Sequence, residues 1–294
     1  LKLNFHQLRC FHAVAEHGSF TAAARALFVG QPSITTHVRA LESRFGVELF
    51  GRHGHNVALT DAGHRLYAIS QRIFSLEAEA VETLRAAGGL LVGTLRIGAI
   101  GAAEVARIVV AFGQRYPEVE LSVSLGNTKS VVDDLLAFRA DVAIAPRLGE
   151  DRRFRTAPYS RSRIVLLVGR EHTWAKRRTV RVAELHGQRM VLRELGSATR
   201  RMLEETLAAA GVRVRPVLEI ESREAVRESV AAGIGVGIAV EEESHPDSRV
   251  RALRIADAPM FLELEIAALA ERREAPLIKA FFDVVAAMRP PGKA

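Results

Sequence analysis

The stretch SFTAAARALFVGQPSITTHVRALESRFG, residues 19–46, contains two short amphipathic patterns joined by a tight break. Ser19 and Thr21 suit the start of a first helix, because a hydroxyl there satisfies N–H groups that lack a partner within the helix. Ala22, Ala23, Ala24, Ala26 and Leu27 give that helix a slim packing face, as two helices crossing within a few residues of each other require. Gly30 permits the turn, and Pro32 fits the first turn of a second helix, where its missing N–H would be unpaired anyway. Ile34, Val38, Leu41 and Phe45 recur at helical spacing and are expected to face a core. The other face carries Ser33, Thr35, Thr36, His37 and Arg39, whose donors suit base edges and phosphates, and Gln31 and Pro32 at the helix start complete the candidate DNA-binding set. On an isolated helix such a face would merely be solvated. Two helices and a tight turn point instead to a helix-turn-helix whose second member enters the major groove.

Working outward, Phe5, Leu8, Phe11, Val14 and Ala15 form an apolar stripe that would complete a three-helix core. Downstream, FGRHGHNVALT (residues 50–60) reads as a hairpin with a glycine-rich tip, a wing whose Arg52, His53 and His55 are candidate phosphate contacts. Free imidazoles are mostly uncharged at neutral pH, so the grip on DNA is expected to tighten as pH falls through the mid-sixes, about the ordinary imidazole pKa. The formal charge of +7 and pI near 10.1 favour polyanionic partners without identifying DNA. Residues 1–60 carry only a modest excess of cations, so positioned charges must act there rather than bulk charge.

From Asp61 to about Ala87 runs a long helical pattern without proline, in which Leu66, Ile69, Ile73, Leu76 and Ala80 alternate three and four apart. That is a coiled-coil seam, and pairing with a second copy would bury it. Gly88 and Gly89 end the helix. The single cysteine, Cys10, excludes an intrachain disulfide and is expected inside the first helix's packing. No apolar run approaches the ~20 residues of a membrane span, and the start LKLNFHQLRC has no secretory pattern, so a cytoplasmic protein is expected. The chain opens on Leu1 rather than Met, which suggests an altered start or slight trimming.

The run QPSITTHVRALESRFGVELFGRHGHNVALTDAG, residues 31–63, is similar to the signature of LysR-type bacterial transcriptional regulators. The order of later parts matches too, so the resemblance covers nearly the whole chain. Two places depart from the pattern. His37 stands where the family often has Gln, and His53 and His55 occupy wing positions that are commonly Arg. The resemblance implies an N-terminal all-α winged helix-turn-helix over residues 1–60 and a linker and dimerisation helix over 61–89. It further implies an α/β two-lobed, periplasmic-binding-protein-like effector domain over 93–294. Its lobe I would take about 93–161 and 264–294, and its lobe II about 162–263. Double-stranded promoter DNA and a homodimer or homotetramer are the implied partners, with RNA polymerase a further candidate and no membrane. The operator is then expected to be roughly palindromic.

Beyond Gly93 strand and helix patterns alternate, which indicates a parallel, doubly wound sheet. Ligands of such sheets sit beyond the carboxyl ends of strands, where helix N-termini point free N–H groups. That rule selects Ile100 and Gly101, Asn127 and Thr128, Arg193, Ser197, Ala198 and Thr199, and Ser222 and Arg223. Arg147, after the third strand, either reaches the same cleft or forms an exposed ion pair. Capping by Thr128, Ser197 and Ser222 explains one hydroxyl per helix but not Thr199 or Arg193. A small anionic effector is therefore expected, with no other cofactor and no metal. RELGSATR and EIESREAVRESVAAGIGVGI look like the subgroup linked to 2-aminoethylphosphonate catabolism, which makes a phosphonate one candidate. A sulfate-like or carboxylate metabolite fits nearly as well.

Three other readings fit less well. GIGVGI (residues 233–238) follows a helix and opens a strand, the reverse of a dinucleotide loop. A solute-binding protein would have an export signal and no DNA-reading front end. An enzyme is not expected, because no nucleophile–base set or metal-spaced histidines stand out.

Overall fold

The computed structural model describes residues 2–53, 56–149, 151–241 and 247–288. The chain divides into two compact units that meet in the sequence at Gly88–Gly89. The first begins with helices α1 (Phe5–His17), α2 (Phe20–Ala26) and α3 (Gln31–Phe45). A hairpin of β1 (Phe50–His53) and β2 (Asn56–Leu59) follows, then the 27-residue helix α4 (Asp61–Ala87).

Local chemistry sets these boundaries. Asn4 Oδ1 accepts from the N–H groups of His6 and Gln7 to start α1, and Gly18, at φ 63°, ends it. Ser19 Oγ accepts from Ala22 N–H to start α2, whereas Thr21 lies inside that helix and caps nothing. Gly30 is the extended N-cap of α3. The left-handed residue of the turn is Phe28 instead, at φ 55° and 95% exposed. A side chain in that region costs about 1–2 kcal/mol, so the turn is strained at a residue that sequence reading passed over.

Leu8, Phe11, Val14, Ala23, Ile34, Val38 and Leu41 are buried together as the core of this unit, with Cys10 among them. Phe5 and Phe45 do not join it: they sit at the outer ends of α1 and α3 and are exposed. Helix α4 begins against the wing. Thr60 Oγ1 donates to Glu48 O at 2.7 Å and accepts from Gly63 N–H at 3.0 Å. Gly63 is pressed so closely on the Leu49 carbonyl that a Cβ there would collide with it. One flank of α4 then lies along the core, with Leu66, Tyr67, Ile73 and Phe74 packed on it. Arg9 of α1 lies over the Phe74 ring at 4.7 Å and pairs with Glu77 at 2.6 Å. His12 Nδ1 is 2.9 Å from Ser70 Oγ. The seam read from sequence is thus split. Leu66 and Ile73 are spent on the chain's own core, while Ile69, Leu76 and Ala80 stay exposed, together with Leu84.

The second unit contains β3 (Gly93–Ala99), α5 (Ala102–Arg115), β4 (Val119–Leu125), α6 (Thr128–Leu136) and β5 (Val142–Pro146). The long strand β6 (Phe154–Gly169) then leads to β7 (Thr179–Val180), β8 (Arg189–Arg193), α7 (Ala198–Ala209) and β9 (Arg215–Ile220). After these come α8 (Arg223–Ala231), β10 (Gly237–Val240), β11 (Val250–Ile255), β12 (Phe261–Leu269) and α9 (Pro276–Met288). The sheet is mixed rather than purely parallel. Strand β3 is parallel to β4 and β5, but β12 runs antiparallel to both β5 and β6. The change of direction comes from chain return: β12 re-enters lobe I from the far lobe. Strand β6 pairs with β12 over Phe154–Arg163 and with β10 and β11 over Ile164–Gly169, so the chain crosses between lobes at Arg163–Ile164. Helix α9 returns to lobe I, where Phe281 meets Phe112 of α5 at 5.9 Å between ring centroids.

One polar cluster ties this lobe together. Asp141, before β5, is buried and receives Arg96 Nε at 3.0 Å, Arg96 Nη2 at 2.7 Å and Arg272 Nη1 at 2.6 Å. Burial works to raise the Asp141 pKa, but the hydrogen bonds and charges of Arg96 and Arg272 outweigh it and hold the carboxyl below its usual range. Among the described residues no helix is long and apolar enough to cross a membrane, and no group of three or more ligating side chains could hold a metal.

Candidate nucleic-acid interface and ligand cleft

Helix α3 buries Ile34, Val38 and Leu41 and thereby turns its opposite side outward. Gln31, Pro32, Thr36 and Arg39 are exposed, while Ser33, Thr35 and His37 are half-buried. Thr35 Oγ1 donates to Gln31 O at 3.1 Å and Thr36 Oγ1 to Pro32 O at 2.9 Å, which orients both hydroxyls along the helix. His37 meets the ring of His6 edge-on, at 4.4 Å between centroids. Arg52 and His53 fall on β1, and His55 lies outside the described residues. His12 is a histidine of this unit that faces the core rather than DNA. Its burial between α1 and α4 lowers its pKa, partly offset by the Glu16 charge.

In the second unit, the carboxyl ends of β3, β4, β8 and β9 open on one cleft of about 820 Å³. Ile100, Gly101, Asn127, Arg193, Ser222 and Arg223 line it. A narrow neck of about 10 Å³, the size of one water, adds Thr128, Ser197, Ala198 and Thr199. Arg147 is not brought there. Its side chain is 70% exposed and stands 4.0 Å from Glu263 and 3.9 Å from Glu265.

Capping uses up some of these groups and leaves others. Asn127 Oδ1 accepts from Ser130 N–H at 3.0 Å and starts α6, and Ser222 Oγ accepts from Ala225 N–H at 3.2 Å and starts α8. Ser197 does not cap α7. Its hydroxyl bonds to that of Thr199 at 3.0 Å, so the first N–H groups of α7 have no side-chain acceptor. Arg193 is already matched. Buried like its neighbour, it makes a two-pronged contact with Glu194, Nε to Oε2 at 2.8 Å and Nη2 to Oε1 at 3.1 Å. Glu224 stands at the cleft as a stable carboxylate, since its own backbone N–H and then the Ser222 hydroxyl hold its pKa below the usual range. Sequence reading missed the apolar wall formed by Leu167, Ala239 and Val250. Val250 belongs to β11, whose two arginines disguised the strand.

A winged helix-turn-helix and a two-lobed cleft on one chain define a DNA-binding regulator that responds to a ligand. Two family models match the chain: "Bacterial regulatory helix-turn-helix protein, lysR family" over residues 5–64, and "LysR substrate binding domain" over residues 88–289. The chain belongs to the LysR family of transcriptional regulators. It is 30% identical over 240 residues to the RuBisCO operon transcriptional regulator of Allochromatium vinosum, covering 81% of this chain and 80% of that one. Its fold is similar to a full-length OxyR variant from Pseudomonas aeruginosa, with TM-score 0.78, 20% identity and all of both chains covered. It is also similar to full-length CbnR solved with its target DNA, with TM-score 0.72 and 24% identity over 98% of this chain and 100% of that one.

Proposed function

We propose that this chain reads promoter DNA with the exposed side of α3 and with the wing, as a homodimer joined along Ile69, Leu76, Ala80 and Leu84 of α4. A small oxyanion, with a phosphonate as one candidate, acts as its effector. The observation that carries the effector reading is the uncapped start of α7. Its N–H groups open on a neck lined by Asn127, Thr128, Thr199 and Arg223. Backbone donors, hydroxyls and one guanidinium around a helix N-terminus suit an anion. Because Glu194 neutralises Arg193, recognition rests on Arg223 and the helix start rather than on Arg193.

Two measurements test the two halves. In a gel shift with DNA upstream of the chain's own coding sequence, Arg39→Ala is expected to weaken binding by about 1–3 kcal/mol if Arg39 reads a base. If it contacts a phosphate instead, the salt slope falls by about one. Unchanged affinity and slope together remove Arg39 from the interface. Calorimetry with 2-aminoethylphosphonate, sulfate and aromatic acids is expected to give heat from at least one anion. Silence from every phosphonate rejects that candidate, and silence from all of them rejects the anionic reading.

A further inference from the structure

A charge contact joins the two walls of the cleft. Glu104 lies in the first turn of α5 on lobe I, and Arg223 is the first residue of α8 on lobe II. Arg223 Nη1 stands 3.7 Å from Glu104 Oε1, with the two side chains 21% and 11% exposed. At that separation the charges attract, but they form no hydrogen bond. The second carboxylate oxygen, Glu104 Oε2, is buried with no hydrogen-bond partner among the described residues. Buried acceptors left in that condition are rare and unfavourable. The α5 N-cap, Gly101, contributes no capping side chain, so the Glu104 carboxylate occupies the positive end of that helix. It also fills the space over Gly101, where a Cβ would run into Glu104 Oε2 and come within 2.8 Å of Arg223 Nη1. Gly101 and Arg223 both line the large cavity, and Arg223 lines the neck as well.

We propose that Glu104 is a resident anion that holds Arg223 across the cleft, and that the effector acts by taking Arg223 from it. The proposal rests on the anionic-effector reading above. An oxyanion offers the guanidinium short, charge-assisted hydrogen bonds, where Glu104 supplies only attraction at a distance. A neutral ligand has nothing with which to displace the carboxylate, so Glu104 restricts the effectors to anions. Whatever stability the Glu104–Arg223 contact gives is subtracted from the effector's apparent affinity, because that contact must open first. A carboxylate that merely repelled anions would also raise phosphate affinity on its neutralisation, but equally with or without Arg223, so the gain from Glu104→Gln must disappear when Arg223→Gln is added.

The test is calorimetric titration of the full chain with inorganic phosphate. Glu104→Gln keeps the shape and removes the charge, and is expected to bind phosphate about tenfold more tightly than the parent. Glu104→Asp keeps the charge but shortens its reach by one carbon. It is expected to fall between the two and covers the case in which the glutamine variant fails to fold. Equal phosphate affinity in parent and variants overturns the proposal while leaving the anionic-effector reading in place. No phosphate binding by any of them, the variants included, ends the proposal; the anionic-effector reading falls only if the anions of the earlier titration are silent as well.

Discussion

Replacing Asp141 by asparagine is expected to destabilise the effector domain by about 3–5 kcal/mol, the cost of breaking a buried ion pair by removing one of its charges. Arg272 is buried to the same degree as Asp141, and after the substitution its guanidinium would keep its charge among strands β3, β5 and the turn before α9. Arg96 makes three hydrogen bonds to the same carboxylate, one of them from its backbone N–H, and asparagine keeps only one of the two oxygens that accept them. The midpoint of urea unfolding measures this directly, and an unchanged midpoint refutes it. The pH dependence has a definite sign. The native carboxyl titrates below the usual value of 3.8, so the unfolded chain binds the proton more readily than the folded one. The stabilisation is therefore complete above about pH 4 and disappears as pH falls through the native value. The asparagine variant should be less stable at neutral pH and lose less on acidification.

Gly63→Ala is the second substitution with a large expected effect. The added methyl would meet the Leu49 carbonyl head-on and crowd Leu59 Cδ2 at 2.9 Å, and a carbonyl held at the root of the hairpin has little freedom to move aside. Overpacking of this kind costs about 1–3 kcal/mol, and here it falls where α4, the wing and the three-helix core join. Loss of specific promoter binding by the full chain, alongside faster hydrogen exchange over β1 and β2, is the anticipated result. A variant that binds its promoter like the parent would show that the junction yields without disturbing the reader.

The DNA-reading half was legible because its determinants are local. Ile34, Val38 and Leu41 at helical spacing fix which side of α3 is free, and Pro32 can stand only near the helix start. What escaped is conformational. Gly30 looked like the flexible residue of the turn, yet the left-handed angle fell on Phe28, because the N-cap of α3 needs extended backbone. Phe5 and Phe45 matched the periodicity but lie past the ends of the layer that could cover them. In the effector domain, alternation of strands and helices located most elements, but periodicity carries no information on strand direction, so antiparallel β12 was not foreseen. The first half of β6 was hidden by Pro158 and a run of arginines and serines; the proline sits beside a bulge in β6 itself, at Tyr159. The candidate ligand residues converged apart from Arg147, whereas Glu104 looked like any acid on a helix surface. Only the placement of its two oxygens, one near Arg223 and one with no donor among the described residues, sets it apart.

Strand β6 belongs to both lobes without interruption, 16 residues spliced into one set of neighbours and then another. A shared girder of this kind gives the two lobes a continuous backbone, with β12 along one half and β10 and β11 along the other. Any change of angle between the halves of the sensor must therefore twist β6 while the short segment between β11 and β12 follows.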